Sequence, residues 1–292
     1  MRLSLLFVVP LLLTGVALPN VQAQTLARPV VPGASPQAAT PDPNMPRPIA
    51  ALDGVWLEDL TWLEVRDAMR AGKTTVIIAT GGIEQNGPYL ALGKHNVILR
   101  ATTEAIARKL GNALIAPIVP FVPEGSIDPP TGHMKYPGTI SLSAGVYKGL
   151  LSEIAECMRV HGFQHILFIG DSGGNQRGME EVAKELTAKW SGNSTTIHFI
   201  PEYYDYPALQ QWLATQGVKQ VDEGLHDDYA ITAQMMVVDP ATVRMKQRQA
   251  KGKFSINGVK LDPAAKTIAM GRKLVEHRAQ LTVAAIRQAL AK

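Results

Sequence analysis

Cysteine is nearly absent: Cys157 is the only one in 292 residues. No disulfide can form within the chain, so any stability must come from packing. Cys157 sits in LLSEIAECMRVHGF at helical spacing among apolar neighbours, which predicts a buried core thiol and not a nucleophile. Runs of basic residues are also missing. The 29 Lys and Arg exceed the 25 Asp and Glu by a formal +4, spread along the sequence. That distribution excludes a nucleic-acid face. Beyond the N-terminus no apolar run is long enough to span a bilayer. What is present, 46% hydrophobic and 18% charged residues over this length, is enough for a globular core.

The N-terminus MRLSLLFVVPLLLTGVALPNVQAQ has Arg2, an apolar run and the small-residue site Val21-Gln22-Ala23, the pattern of a secretory signal peptide. The expectation is a signal peptide over 1–23, export to the periplasm or medium, and no stable membrane insertion after cleavage. Residues 24–50 are too rich in proline for helix or central strand and read as a flexible leader. The folded domain is expected over 51–292.

Within it, LTWLEVRDAMRAG predicts a helix with Thr61 as N-cap, Glu64 closing a capping box and Gly72 ending it. TTVIIAT is a short buried strand, followed by the glycine-rich loop GGIEQNGPYLALGKHN. A second helix is expected over VILRATTEAIARKLG, with Asn96 before it. ALIAPIVPFV is strand-like despite two prolines, and PEGSIDPPTGHMKYPGT a long loop. AGVYKGLLSEIAECMRVHG is a third helix, HILFIG a buried strand, DSGGN a turn, QRGMEEVAKELTAKW a fourth helix and TTIHFIP another strand. A last helix spans MGRKLVEHRAQLTVAAIRQALA. Alternating strands and helices predict an α/β layered fold with a mainly parallel sheet.

The string GDSGG, familiar around protease serines, here ends an apolar strand and opens a helix. Ligands bind at the carboxyl ends of strands in open α/β sheets, so Asp171, Ser172, Gly173 and Gly174 belong at the rim of a site. The spacing Gly170-Asp171-Ser172-Gly173-Gly174 also meets G-x-S-x-G, which keeps a serine hydrolase open. Glu84 and His95 lie in the loop after the earlier strand, His133 in a later loop, and Glu223, His226, Asp227 and Asp228 in EGLHDDYAITAQM. Carboxylates and imidazoles gathered on strand-end loops are the material of a divalent metal site.

Glu84-Gln85-Asn86-Gly87-Pro88 with Leu92-Gly93 resembles the creatininase family pattern E-Q-H-G-P-H-L-P-L-G-T-D. His133 with Tyr136-Pro137-Gly138-Thr139-Ile140-Ser141-Leu142 is similar to the family's H-x-x-F-P-G-T-I-S-L. Gly170 to Asn175 stands where the family has N-G-H-G-G-N, and His226 with Thr232 where it has H-A-G-E-x-E-T-S. Asp239-Pro240, Val243-Arg244-Met245 and Gly258 to Gly271 are similar to the later motifs. The resemblance, over about residues 58–278, implies a three-layer α/β/α domain, a pair of zinc- or manganese-type ions, hydrolysis of cyclic or related amide C–N bonds, and a homo-oligomer, often a hexamer. The chain departs from the pattern at the metal site. Asn86 replaces a family His, His95 an Asp, Ser172 a His and Ile231 a Glu, whereas Glu84 and His226 are kept.

A rebuilt site is therefore expected, holding one or two divalent ions, with Glu84, His95 and Asp171 as ligands. His226 is expected to move protons and Ser172 to contact substrate. Asn86, His133, Gly173, Gly174, Asn175 and Asp228 are expected to bind a small-molecule substrate. The expected activity is amidohydrolysis of a small cyclic amide. The alternatives are a metal-free small-molecule binding protein on the same scaffold and a serine hydrolase using Ser172.

Overall fold

The computed structural model describes residues 40–291. The expected signal peptide, and the expected leader up to residue 39, lie outside them. The chain divides into two units at Pro46/Arg47. In the described part of the first, Asp42 forms a turn, accepting from Asn44 N (2.8 Å) and Met45 N (3.0 Å).

The second unit is built on four strands: β1 (Thr75–Thr80), β2 (Ala113–Ile115), β3 (His165–Gly170) and β4 (Thr196–Phe199). All pair in parallel, in the order β2-β1-β3-β4, with Thr75 opposite both Ala113 and His165. The central strands β1 and β3 are largely apolar and buried on both faces, as the middle of a parallel sheet requires. Alternate side chains feed two layers. Val76, Ile78, Ile166 and Phe168 pack with Tyr147 and Leu151 of α3 (Ala144–Val160) and Met179 and Val182 of α4 (Gln176–Lys189). Partly buried Val65 and Ala68 of α1 (Trp62–Arg70) join this layer. Ile77, Ala79, Leu167 and Ile169 pack on the other face with Leu99 and Ile106 of α2 (Lys94–Leu110) and Ala279 and Val283 of α8 (Ala264–Leu290). This is the expected α/β/α layering.

The remaining elements are α5 (Tyr206–Thr215), α6 (Tyr229–Val238), α7 (Met245–Ala250) and an antiparallel pair, β5 (Ser255–Ile256) and β6 (Val259–Lys260). Helix α8 crosses α6 so closely that a Cβ on Gly271 would lie 2.1 Å from the Ala233 carbonyl oxygen. Among the described residues no helix is long and apolar enough to cross a membrane.

The capping box of α1 is formed as expected, with the Thr61 side chain accepting from Glu64 N and the Glu64 carboxylate accepting from Thr61 N. Four expectations are corrected. Helix α2 begins at Lys94, so His95 and Asn96 lie in its first turn and not before it. Strand β2 stops at Ile115, because Pro117 and Pro120 carry no N–H for a ladder; only isolated bridges at Val119 and Val122 follow. Helix α8 starts at Ala264, well before the expected Met270. Cys157 is exposed, on the solvent side of α3.

Two helices on one sheet face are tied by Glu156 of α3, which accepts from Lys189 (2.6 Å), Trp190 Nε1 (3.1 Å) and Arg159 (2.8 Å). Those bonds, led by Lys189, hold its carboxyl down from 4.5 to about 2. A depressed acid stabilises the fold above its unfolded pKa, and the contribution fades as pH falls through the folded value. Glu156→Gln is therefore expected to lower stability at pH 7 by up to about 1 kcal/mol, since the group is partly exposed. The gap between variant and parent should close between pH 4.5 and 2. Thermal melts across that range check it.

Candidate active site at the sheet switch point

The sheet order places a topological switch point between β1 and β3, where successive connections leave in opposite directions. The segment after β1 carries Glu84 and runs into α2 with Lys94 and His95; the turn after β3 carries Asp171 and Ser172. Two glycines allow the close approaches. A Cβ on Gly174 would lie 2.3 Å from the Pro123 carbonyl, and one on Gly87 (φ +62°) 2.5 Å from that of Leu225. The second contact brings the Glu84 loop against the segment holding His226. His226 itself sits at φ +55°, a strained backbone for a non-glycine residue.

A buried ionic chain crosses the switch point. Arg278 of α8 pairs with Asp171 Oδ1 at 2.5 Å, and Asp171 Oδ2 meets His95 Nδ1 at 2.9 Å. His95 Nε2 meets Glu84 Oε1 at 2.7 Å. Lys94 Nζ also reaches Glu84 Oε1, at 3.2 Å, and all five side chains are at most 6% exposed. Burial opposes ionisation of Asp171 and of Glu84, but Arg278 with His95, and His95 with Lys94, hold the two carboxyls below their usual range. Burial likewise opposes charge on His95, yet its bonds to Asp171 and Glu84 raise its pKa. Beside Glu84 lies Glu124, whose carboxyl is pushed up to about 9 by burial and by the Glu84 charge. Both causes favour its protonated form, and its carboxyl shares side-chain hydrogen bonds with Glu84 and Ser172.

Glu84 also faces two imidazoles. Its Oε2 lies 3.2 Å from His133 Nε2, and its Oε1 lies 3.7 Å from His226 Nε2. The two rings stack at 4.5 Å. His226 Nδ1 is 2.9 Å from the Gln85 carbonyl, which can only accept, so Nδ1 carries the proton and the Nε2 lone pair faces the cavity, where Lys94 Nζ lies 3.5 Å away. Burial and Lys94 push the His226 pKa down, which favours that neutral form. Glu84, His133 and His226 each offer a ligand atom within 4.8 Å of the others and can hold a metal ion. Two His and one carboxylate with an open position is a normal set for one catalytic ion.

Three family metal-site positions are otherwise committed. Asn86 donates its amide N–H groups to the carbonyls of Glu84 (2.8 Å), Ala91 and Leu92, which ties the loop. Both His95 nitrogens are spent between two carboxylates. Ser172 Oγ accepts a long bond from Gly174 N and bonds the Glu124 carboxyl, and the described hydrogen bonds bring it no imidazole. The serine-hydrolase alternative thus lacks its base.

These groups line a cavity of about 770 Å³, closed further by Tyr204, Tyr206, Gln210 and Asp227. Of the expected site residues, Glu84, His95, His133, Asp171, Ser172, Gly173, Gly174, His226 and Asp228 line it; Asn86 and Asn175 do not. Asn175 instead donates to the carbonyls of Thr80 and Gly81, holding the two strand ends together. Asp228 caps α6 through Ile231 N (2.7 Å) and accepts from Gln210 (2.5 Å), so it builds the cavity wall. The three expected ligands Glu84, His95 and Asp171 form a chain and do not surround one point. The set that converges is Glu84, His133 and His226. Lys94, Glu124 and Arg278 were not foreseen. Lys94 adjoins His95 at the position after Leu92-Gly93, where the creatininase pattern has Thr, a signal that was available. Arg278 has no local signal at all.

A parallel α/β sheet carrying a cluster of imidazoles and carboxylates at its switch point defines the class of protein. The chain belongs to the creatininase family: the model described as creatinine amidohydrolase matches residues 58–286. It is 24% identical over 170 residues to a creatinine amidohydrolase of Pseudomonas putida; the aligned part is 56% of this chain and 64% of that protein, just under two thirds. A solved creatininase with a tryptophan-to-phenylalanine substitution superposes with a TM-score of 0.57 at 21% identity, over 81% of this chain and 99% of that one. Another, described as creatininase with Mn, gives 0.53 at 20% identity over 81% and 97%. At these identities the structural likeness carries the fold.

Proposed function

We propose that this protein is an exported hydrolase that cleaves an amide C–N bond in a small cyclic or related compound. One divalent ion, zinc or manganese, would be held by Glu84, His133 and His226. The observation that carries the reading is the convergence of those three ligand atoms within 4.8 Å at the cavity wall. The relative named creatinine amidohydrolase supports the reaction class, and the creatininase described with Mn supports a divalent ion. When bound, the ion supplies Lewis acidity toward an amide carbonyl and acidifies water.

The chain's own groups do the rest. His95, braced by Asp171 and Arg278, fixes the Glu84 carboxylate. The Gln85 carbonyl fixes the His226 tautomer. Glu124, hydrogen-bonded to Glu84 and Ser172, presents its carboxyl at the cavity wall, and Tyr204 and Tyr206 narrow the cavity around a small molecule. The N-terminal pattern supports export, which fractionation of the expressing cell tests. The family resemblance supports a homo-oligomer.

His133→Ala and His226→Ala are each expected to weaken zinc binding by about 100-fold or more, as loss of a direct ligand should exceed the usual effect of a supporting partner. Both side chains are partly exposed, at 29% and 39%, so the metal-free melting temperature should move little. Zinc titration by calorimetry, followed by turnover of a panel of cyclic amides, tests the reading. Parent-like zinc affinity in both variants would remove the trio as the metal site. One observation favours the metal-free binding protein as a second reading: Lys94 already contacts two of the three ligands.

A further inference from the structure

Lys94 is the most unusual group in the cavity. A lysine 2% exposed is rare, and this one lies inside a constellation of metal-ligand type. Its Nζ is 3.2 Å from Glu84 Oε1 and 3.5 Å from His226 Nε2. Because His226 Nδ1 is committed to the Gln85 carbonyl, Nε2 can only accept, so the ammonium points a proton at the lone pair that would bind an ion. The charge balance agrees. Among the buried groups, the carboxylates of Glu84 and Asp171 already face three cations: Lys94, His95 and Arg278. A pair of divalent ions would add four positive charges beside these three, with only Glu124, Asp227 and Asp228 as further carboxylates on the cavity wall.

We infer that the Lys94 ammonium is a resident cation on the Glu84–His133–His226 trio, that it holds Glu84 and His226 together without a metal, and that a divalent ion enters only by displacing it. The inference rests on the reading of that trio as the metal site and adds its control. The site takes one ion, and Lys94 sets how tightly. An ammonium on a four-carbon stem can swing aside as no backbone group could, so the displacement needs no change in the sheet.

The test is zinc titration of the full chain, by calorimetry with elemental analysis for stoichiometry, on the parent, Lys94→Met and Lys94→Arg. Lys94→Met removes the competing charge at nearly constant volume and is expected to bind one zinc per chain about 10-fold or more tighter than the parent. Lys94→Arg, which keeps the charge, is expected to bind no tighter than the parent. Should Lys94→Met fail to fold without metal, Lys94→Gln keeps a donor for Glu84 and carries the same expectation. Equal or weaker zinc binding in the uncharged variants overturns the inference, as does a second zinc per chain in the parent. If the uncharged variants bind zinc while the parent binds none at millimolar concentration, the inference stands and the metal-dependent hydrolase reading falls. If no form binds zinc, both fall.

Discussion

Glu84→Gln is expected to abolish turnover and metal binding together, with zinc affinity falling by at least about 100-fold. Among the described residues Glu84 is the one carboxylate that reaches both imidazoles of the trio and also both Lys94 and His95. The amide has nearly the same shape, so the loss reports charge and not packing. It also leaves Lys94 and His95 buried without their shared counter-charge, which costs about 3–5 kcal/mol when one partner of a buried pair is removed. Calorimetric zinc titration and a thermal melt of the same preparation separate the two effects. A variant with full zinc content and full activity would show that chemistry happens elsewhere.

The largest expected effect on stability belongs to Asp171→Ala. Asp171 is fully buried, and its two oxygens face Arg278 and His95. Arg278 has few other resources: Nε donates to the Tyr203 carbonyl at 3.0 Å and its guanidinium lies 3.9 Å above the Tyr203 ring. Removing the carboxylate strands a charge that cannot reach water, at about 3–5 kcal/mol. For a chain of this size that is a fall of roughly 10 °C in melting temperature. Arg278→Met added to Asp171→Ala should recover much of the loss, because an apolar pair of similar volume needs no counter-charge. Non-recovery would mean that Asp171 matters for His95 and not for Arg278.

What could be read in advance follows from where the forces are local. The strands TVIIAT and HILFIG are apolar on both faces and bounded by turn residues, and the Thr61–Glu64 box lies within one helical turn, so sequence spacing contains them. Helix α6 was not foreseen because YAITAQMMVV is apolar on every side: it is buried all round and shows no helical period. The prolines that cut β2 were visible, but the apolar run outweighed them. Glu84, His133 and His226 were each legible as polar residues on loops. Their meeting was not, since it depends on the β2-β1-β3-β4 order and on the Gly87–Leu225 contact. His95 read as a loop ligand because its place in the first turn of α2, between two carboxylates, is a tertiary fact. Arg278 looks like any basic residue on a helix; only the burial of Asp171 gives it meaning.

Helix α8 carries Arg278 and follows every strand of the sheet in chain order. Chains emerge from the ribosome N-terminus first. The strands bearing Glu84 and Asp171 are thus synthesised before the cation that lets Asp171 stay charged inside the protein. Until α8 docks, the sheet holds a carboxylate that must either take up a proton or stay wet. Completion of the pocket therefore waits until α8 has been made and has docked. A fragment ending before α8 would keep every strand of the sheet and still lack the cation that completes the buried ionic chain.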